Sequence, residues 1–507
     1  MQKLGRTALA VLVPTLMLGA CSQESGEANN DAETPATEVA TTEGETEVKS
    51  DKEPVRPPAD PFPSTYQPYP GETVLLSGAT ILTGTGERIN NGDVLLQDGK
   101  IAGLGEAGSL TVPEGAVTID ADGKWITPGI IDIHSHLGDY PSPSTESTAD
   151  GNEVTSPNTA HVWAEHSVWP QDAGFTRALA GGVTSLQILP GSANLFGGRS
   201  VVLKNVPSRS VQGMKFPNAP YGLKMACGEN PKRVYGDRGG PDTRMGNVAG
   251  YRAAWIEAQA YQQKWEKYWR EFDEWKKDDS DDKSDNPPEA PTRDLKLETL
   301  AGALEGDIVV NMHCYRADEM VQILDIAKEF DYQVTTFHHA IEAYKIADYL
   351  AENNVCAAVW ADWWGFKLEA FDTVGANAAL IDAQPNSCAI IHSDNAGDIQ
   401  RLNQEAAKAM ADGRRIGFEI EPKDAIGWIT SNPAKAMGII DQTGTLETGK
   451  MADVVVWNRN PFSVYARAEK VYIDGALMFD RADPSLSPRV DFELGQHDNS
   501  FTGGAGQ

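Results

Sequence analysis

Most of the nine histidines in this chain stand where short apolar runs end. His134-Ser135-His136 follows the run 129–133, and His313 ends the run 308–312. His338 and His339 end 334–337, and Asp394 lies just past 389–392. Along an extended strand, residues two apart share a face, so His134 and His136 can reach one ion together. A lone His-x-His is weak evidence, and a satisfied core histidine explains any single position. Four run ends carrying imidazole or carboxylate in order are not explained that way. They predict a divalent-metal centre, with Zn²⁺ the ion suited to such nitrogen and oxygen ligands.

The elements that must carry these side chains are strands alternating with helix-like stretches. The strand candidates are 129–133, 182–189, 222–226, 307–312, 334–337, 357–360 and 388–392, a pattern that argues for an α/β parallel sheet or barrel. Reactive groups of a barrel gather at its C-terminal rim. From residue 71 to about 119, short apolar runs alternate with turns, including the hairpin signal Asp98-Gly99. Similar punctuation returns after about 436 and includes Asp474-Gly475. Each piece is too small to bury a core alone. Segments 66–125 and 436–485 are therefore expected to pair into one composite β-domain beside a barrel spanning 126–435. Within the barrel, 249–295 is dense in aromatics and charge, and reads as a helical insertion ending in a solvated loop. Residues 486–507 read as a tail.

Ile126-Thr127-Pro128-Gly129-Ile130-Ile131-Asp132-Ile133-His134-Ser135-His136 resembles the first barrel strand of the amidohydrolase superfamily. Gly181-Gly182-Val183-Thr184 resembles its second-strand signature. Asn432-Pro433-Ala434 and Gly444-Thr445-Leu446-Glu447-Thr448-Gly449-Lys450-Met451-Ala452-Asp453-Val454 resemble its return to the β-domain. The branch most resembled is imidazolonepropionase-like and exported-dipeptidase-like. The resemblance implies a (β/α)₈ TIM-like barrel with a composite β-sandwich domain, and metal-dependent hydrolysis. Carried over by position, His134, His136 and Asp394 would hold the more buried metal, and His313 with His339 or His338 the second. His339 is preferred because His339-Ala340-Ile341-Glu342 resembles related sixth strands. The bridging ligand would be Lys224, as a carbamate, or Glu229, either of which makes room for two ions.

A metal ion brings the pKa of its water near neutrality and polarises a carbonyl. The expected reaction is attack of metal-bound hydroxide on an amide C–N bond, with Asp394 as general base and acid. Tyr315 and Arg316 could steady an oxyanion or bind a substrate carboxylate, and His392 reads as support for its neighbours. Candidate substrates are a small dipeptide, an N-acyl amino acid or a cyclic amide. Deamination is the near alternative, although Arg316 stands where many related deaminases carry a glutamate. A non-catalytic tethered scaffold or a solute-binding protein would not require so complete a set of ligands.

Lys3 and Arg6 precede the apolar run 7–18, which reads as an export signal too short for an ordinary membrane span. Leu18-Gly19-Ala20-Cys21 resembles a bacterial lipobox and implies lipidation of Cys21, with Ser22 favouring the outer membrane facing the periplasm. Residues 1–20 are thus a signal peptide, and 21–65, poor in large apolar side chains, a flexible tether. With 43 Lys+Arg against 73 Asp+Glu the net charge is −30, which disfavours nucleic acid as a partner and leaves a lipid anchor as the membrane contact. Assembly into a homo-oligomer stays open. Cys227, Cys314, Cys356 and Cys388 could pair in an exported chain, but free buried thiols are the expectation.

Overall fold

The computed structural model describes residues 60–486, apart from Pro143, Asp281, Asp282 and Asp285. The signal peptide, Cys21, the tether up to residue 59 and the tail from 487 lie outside the described residues. Residues 60–65, expected to belong to the tether, instead lie against the body. Lys215 Nζ meets Asp60 Oδ2 at 2.7 Å, and the Thr65 amide donates to the Gln212 carbonyl at 2.9 Å.

Five strands come first: β1 (Val74–Leu82), β2 (Arg88–Gln97), β3 (Lys100–Glu106), β4 (Val117–Asp120) and β5 (Trp125–Pro128). Eight follow in the centre: β6 (Ile130–Ser135), β7 (Val183–Ile188), β8 (Phe196–Lys204), β9 (Gly222–Ala226), β10 (Val309–Cys314), β11 (Val334–His339), β12 (Cys356–Val359) and β13 (Ala389–Ile391). The last are β14 (Val454–Trp457), β15 (Ala468–Ile473) and β16 (Ala476–Asp480).

The N- and C-terminal strands form one sheet in the order β16-β15-β14-β5-β1-β2-β3, with β4 branching from β1. The join is β14 antiparallel to β5, with Val455 opposite Thr127. Asp98-Gly99 and Asp474-Gly475 make tight hairpins, with φ of 52° and 75° and of 46° and 75°, the left-handed pair that a type I′ turn requires.

The central strands form the second sheet, β6 to β13 in chain order. Its pairs are parallel except around β8, which runs antiparallel to both β7 and β9. This corrects the expected uniform (β/α)₈ succession. No helix separates β7 from β8, because the short loop between them can only reverse the chain. The run Phe196-Gly197-Gly198-Arg199-Ser200 hides β8 in the sequence, since glycine and arginine mask its apolar character. Strand alternation then sorts the side chains. Leu223, Met225, Val310, Met312 and Phe337 belong to the same apolar core as Trp255, while Lys224, Asn311 and His313 point the other way, into the barrel. Trp255 lies on the helix Arg244–Lys277, which begins before the expected insertion and packs its aromatic face inward.

Free thiols are also corrected. Cys227–Cys314 and Cys356–Cys388 are disulfides, with Cα separations of 5.2 and 4.5 Å. Register explains them: Ala226 faces His313 and Ala357 faces Ala389, so the next residue of one pair and the preceding residue of the other are cysteines side by side.

A buried charge cluster sits between β8 and the C-terminal strands. Lys204 Nζ lies 3.2 Å from both Asp453 oxygens and 2.9 Å from Asp474 Oδ2, and none of the three is exposed beyond a few per cent. Lys204→Met would leave two enclosed carboxylates without their cation, at a cost of roughly 3–5 kcal/mol. Equilibrium denaturation should show this as a lowered midpoint, and an unchanged midpoint would contradict the role.

Candidate metal centre

Gly129 stands just before the first barrel strand, where a Cβ would lie 2.0 Å from Thr184 Oγ1, so only glycine lets the chain enter β6 this close to β7. β6 then delivers His134 and His136 to a single point. His134 Nε2 is 3.4 Å and His136 Nε2 3.1 Å from Asp394 Oδ1. Asp394 follows β13 with φ 52°, and its amide donates to the His134 carbonyl at 3.0 Å. Ser393 donates from both its amide and its hydroxyl to Asp132. These bonds tie the last barrel strand to the first. Burial pushes the Asp132 carboxyl up to about 7, against the hydrogen bonds from Ser393 and the His134 amide.

Hydrogen bonds also fix which imidazole nitrogens are free. His136 Nδ1 donates to the Leu189 carbonyl at 2.7 Å, leaving Nε2 with its lone pair. His338 Nε2 donates to Asn311 Oδ1 at 2.9 Å, so its Nδ1 accepts from His134 Nδ1 at 2.8 Å. His134 Nε2 is thereby left to accept. His338 has spent both nitrogens and positions His134. Consecutive strand residues should point to opposite faces, yet the rings of His338 and His339 lie 4.8 and 4.7 Å from that of His134. His339 achieves this with a left-handed backbone, φ 69°, which turns it back into the barrel. Its Nδ1 is buried without a partner, 3.9 Å from Asp394 Oδ2.

His313 sits 4.6 Å from His339 ring to ring, with Nε2 3.3 Å from Asn230 Nδ2 and Nδ1 unpartnered. Lys224 is fully buried, its Nζ 3.2 Å from His134 Nε2, and burial pushes its ammonium down to about 7. Burial likewise holds His134, His313, His338 and His339 well below the ordinary imidazole range, so all four are neutral imidazoles.

Two expected residues are not brought to this point. Glu229 opens the helix Glu229–Tyr235 and pairs with Lys367 Nζ at 3.3 Å, partly exposed. Arg316 turns outward, with Nε and Nη2 2.9 and 2.8 Å from the Asp318 oxygens, because the acid two residues on captures it at the start of the helix Ala317–Phe330. Tyr315 stays inside, its ring 4.7 Å from His313 and 5.5 Å from His339, with Lys367 4.1 Å above it.

One side chain emerges that the sequence reading treated only as support. His392 joins His134 and His339 in a group whose ligand atoms lie within 4.8 Å of one another, and both its nitrogens are buried without partners. Its spacing two before Asp394 was the available signal. Trp360, stacked on His339 at 4.2 Å, offered none. The unpartnered nitrogens of His339 and His392 lie near the Asp394 carboxylate and His313 Nδ1 is likewise unpartnered, a donor set that suits a divalent ion.

The amidohydrolase family model matches residues 125–478. The chain belongs to the amidohydrolase family. Amidohydrolase tasK of Hapsidospora irregularis is 32% identical over 433 residues, covering 82% of this chain, which in turn spans 42% of that relative. The imidazolonepropionase of Caulobacter vibrioides (strain NA1000 / CB15N) is 21% identical over 408 residues, covering 76% of this chain and 90% of its own. Among solved structures, an amidohydrolase from Thermotoga maritima MSB8 is 36% identical, covers 80% of this chain and all of its own, and superposes with a TM-score of 0.71.

Proposed function

We propose that this chain cleaves the amide C–N bond of a small molecule, a dipeptide, an N-acyl amino acid or a cyclic amide, with divalent metal, Zn²⁺ in the first instance. The observation that carries this reading is the convergence of His134 Nε2 and His136 Nε2 on one oxygen of Asp394. His134, His136 and Asp394 would hold one ion, and His313 with His339 a second. Lys224 is the better bridging candidate: its buried, readily neutral amine can take up CO₂ as a carbamate, whereas Glu229 is occupied by Lys367. Bound metal supplies a water of lowered pKa and a polarised carbonyl.

The rest falls to the chain. Asp394 accepts the proton from water and returns it to the leaving nitrogen. The bond from Asn311 through His338 to His134 keeps the Nε2 lone pair pointed inward throughout. Tyr315 and Trp360 wall His339 and keep bulk water from that side. Deamination is supported less. The third residue after His313 is Arg316, held outward by Asp318, so it brings no acid or base to the centre.

Residues 3–21 support export and a lipid anchor in the cell envelope as part of the same reading. Among the described residues no helix is long and apolar enough to cross a membrane. The test is a turnover screen of the metal-loaded full chain against dipeptides, N-acyl amino acids, lactams and aminopurines. Amide cleavage is the expected result. Ammonia release from aminopurines with every amide left intact would overturn it.

A further inference from the structure

Arg316, the cation expected to meet a substrate carboxylate, is turned away from the centre, and another cation stands in its place. Lys367 lies on the loop that follows β12, at the C-terminal rim where the reactive groups of a barrel gather. Its Nζ is 4.1 Å from the centre of the Tyr315 ring, and that ring packs on both His313 and His339. A second route is as short. Asn230 Oδ1 accepts from Lys367 Nζ at 3.0 Å, and Asn230 Nδ2 is 3.3 Å from His313 Nε2. The ammonium is therefore held one side chain away from two proposed metal ligands.

Unlike Lys224, this lysine keeps a surface that a ligand can reach: 19% of its side chain is exposed, and 31% of that of Glu229 beside it. Its present partners are modest. An ammonium has three hydrogens to donate, and Asn230 and Glu229 take two of them. Glu229 is the one acid paired with it among the described residues, through a single oxygen at 3.3 Å, longer than a close charge-assisted bond. A partly exposed pair of that length is weak and readily exchanged. Glu369, the other acid acting on Lys367, is engaged by Arg244. Arg233, exposed on the helix Glu229–Tyr235, adds a second positive charge near enough to act on both Lys367 and Tyr315. Phe366, the preceding residue, is exposed and sets its ring 5.8 Å from the ammonium, so apolar surface adjoins the charge.

We propose that Lys367 holds the carboxylate of the substrate, and that Glu229 keeps its place until the carboxylate displaces it. One anion is exchanged for another, so the ammonium is paired whether the substrate is absent or bound. This deepens the amide-hydrolase reading and rests on it: among the candidate amides, dipeptides and N-acyl amino acids with a free carboxylate are preferred over neutral cyclic amides.

Calorimetric titration of the metal-loaded full chain with butanesulfonate and its neutral near-isostere butyl methyl sulfone tests the position without turnover, since neither probe holds an amide and a sulfonate is a poor ligand for divalent metal. Butanesulfonate should bind at least about ten-fold tighter. Lys367→Met should remove most of that preference. Glu229→Gln, which removes the competing carboxylate, should strengthen sulfonate binding about three-fold, whereas a merely structural pair predicts weaker or unchanged binding. Glu229 is partly exposed, so its variant decides the matter if the Lys367 variant fails to fold. Equal affinity for the two probes, a preference that survives Lys367→Met, or no gain from Glu229→Gln overturns the proposal. With glycyl-leucine and glycyl-leucinamide as substrates, the ratio of kcat/KM, acid over amide, should fall about ten-fold in Lys367→Met. An unchanged ratio would detach the anion site from the substrate and overturn the assignment. A sulfonate preference that depends on Lys367, with no amide cleaved by the wild type, would leave the anion site standing and sink the reaction, so the two readings fail separately.

Discussion

Asp394→Asn should lower turnover by about 10²–10⁴-fold, the range for loss of a positioned general acid–base group. The folded state should survive. Asparagine has the same shape and tolerates the left-handed backbone, φ 52°, that Asp394 adopts. The amide that bonds the His134 carbonyl is unchanged by the substitution, and so are the bonds from Ser393 to Asp132 that close the barrel. What is lost is the anionic oxygen on which His134 and His136 converge, and with it a site for the proton in transit. Steady-state kinetics on an amide substrate, with metal content and thermal unfolding measured on the same preparation, separates these effects. Turnover within about three-fold of wild type at normal metal content would remove the proton-transfer role.

The convergence itself was legible in the sequence, because strand periodicity and strand ends are local signals. His134 and His136 two apart, and His313 and Asp394 at run ends, need only an alternating strand and a common rim. What stayed hidden depends on register or on backbone exceptions. The two disulfides join residues 87 and 32 positions apart, and only the pairing of β9 with β10 and of β12 with β13 makes them neighbours. The choice between His338 and His339 could not come from alternation, since the φ of 69° at His339 breaks it. β8 escaped because glycine, arginine and serine dilute its apolar run, and its reversed direction follows from a loop too short for a crossover. Lys224, as a carbamate, and Glu229, five residues apart, could each offer a bridging anion in the sequence, with Lys224 the favoured one. Lys367 from a distant loop separates them in space by taking Glu229.

That separation makes Lys224 the second decisive position. Its amine is buried beside His134 Nε2 at 3.2 Å, an unfavourable place for an ammonium and a suitable one for an anion that can bridge two cations. Lys224→Gln keeps much of the volume but can neither charge nor take up CO₂. In bicarbonate buffer the wild type should retain two divalent ions per chain and the variant one, with turnover down about 100-fold or more, and mass-spectrometric metal analysis reads the stoichiometry directly. Metal-free, CO₂-depleted protein gives an independent sign. The folded amine protonates at about 7 against an ordinary 10.5, so across that window the unfolded chain holds a proton that the folded chain lacks. Wild-type stability should therefore fall as pH drops from about 10 to 7, relative to Lys224→Gln, and the difference should level off below 7. Two ions bound by Lys224→Gln, with near-normal turnover, would return the bridge to another residue. Parallel stability profiles would show that the lysine does not resist its charge as its burial requires.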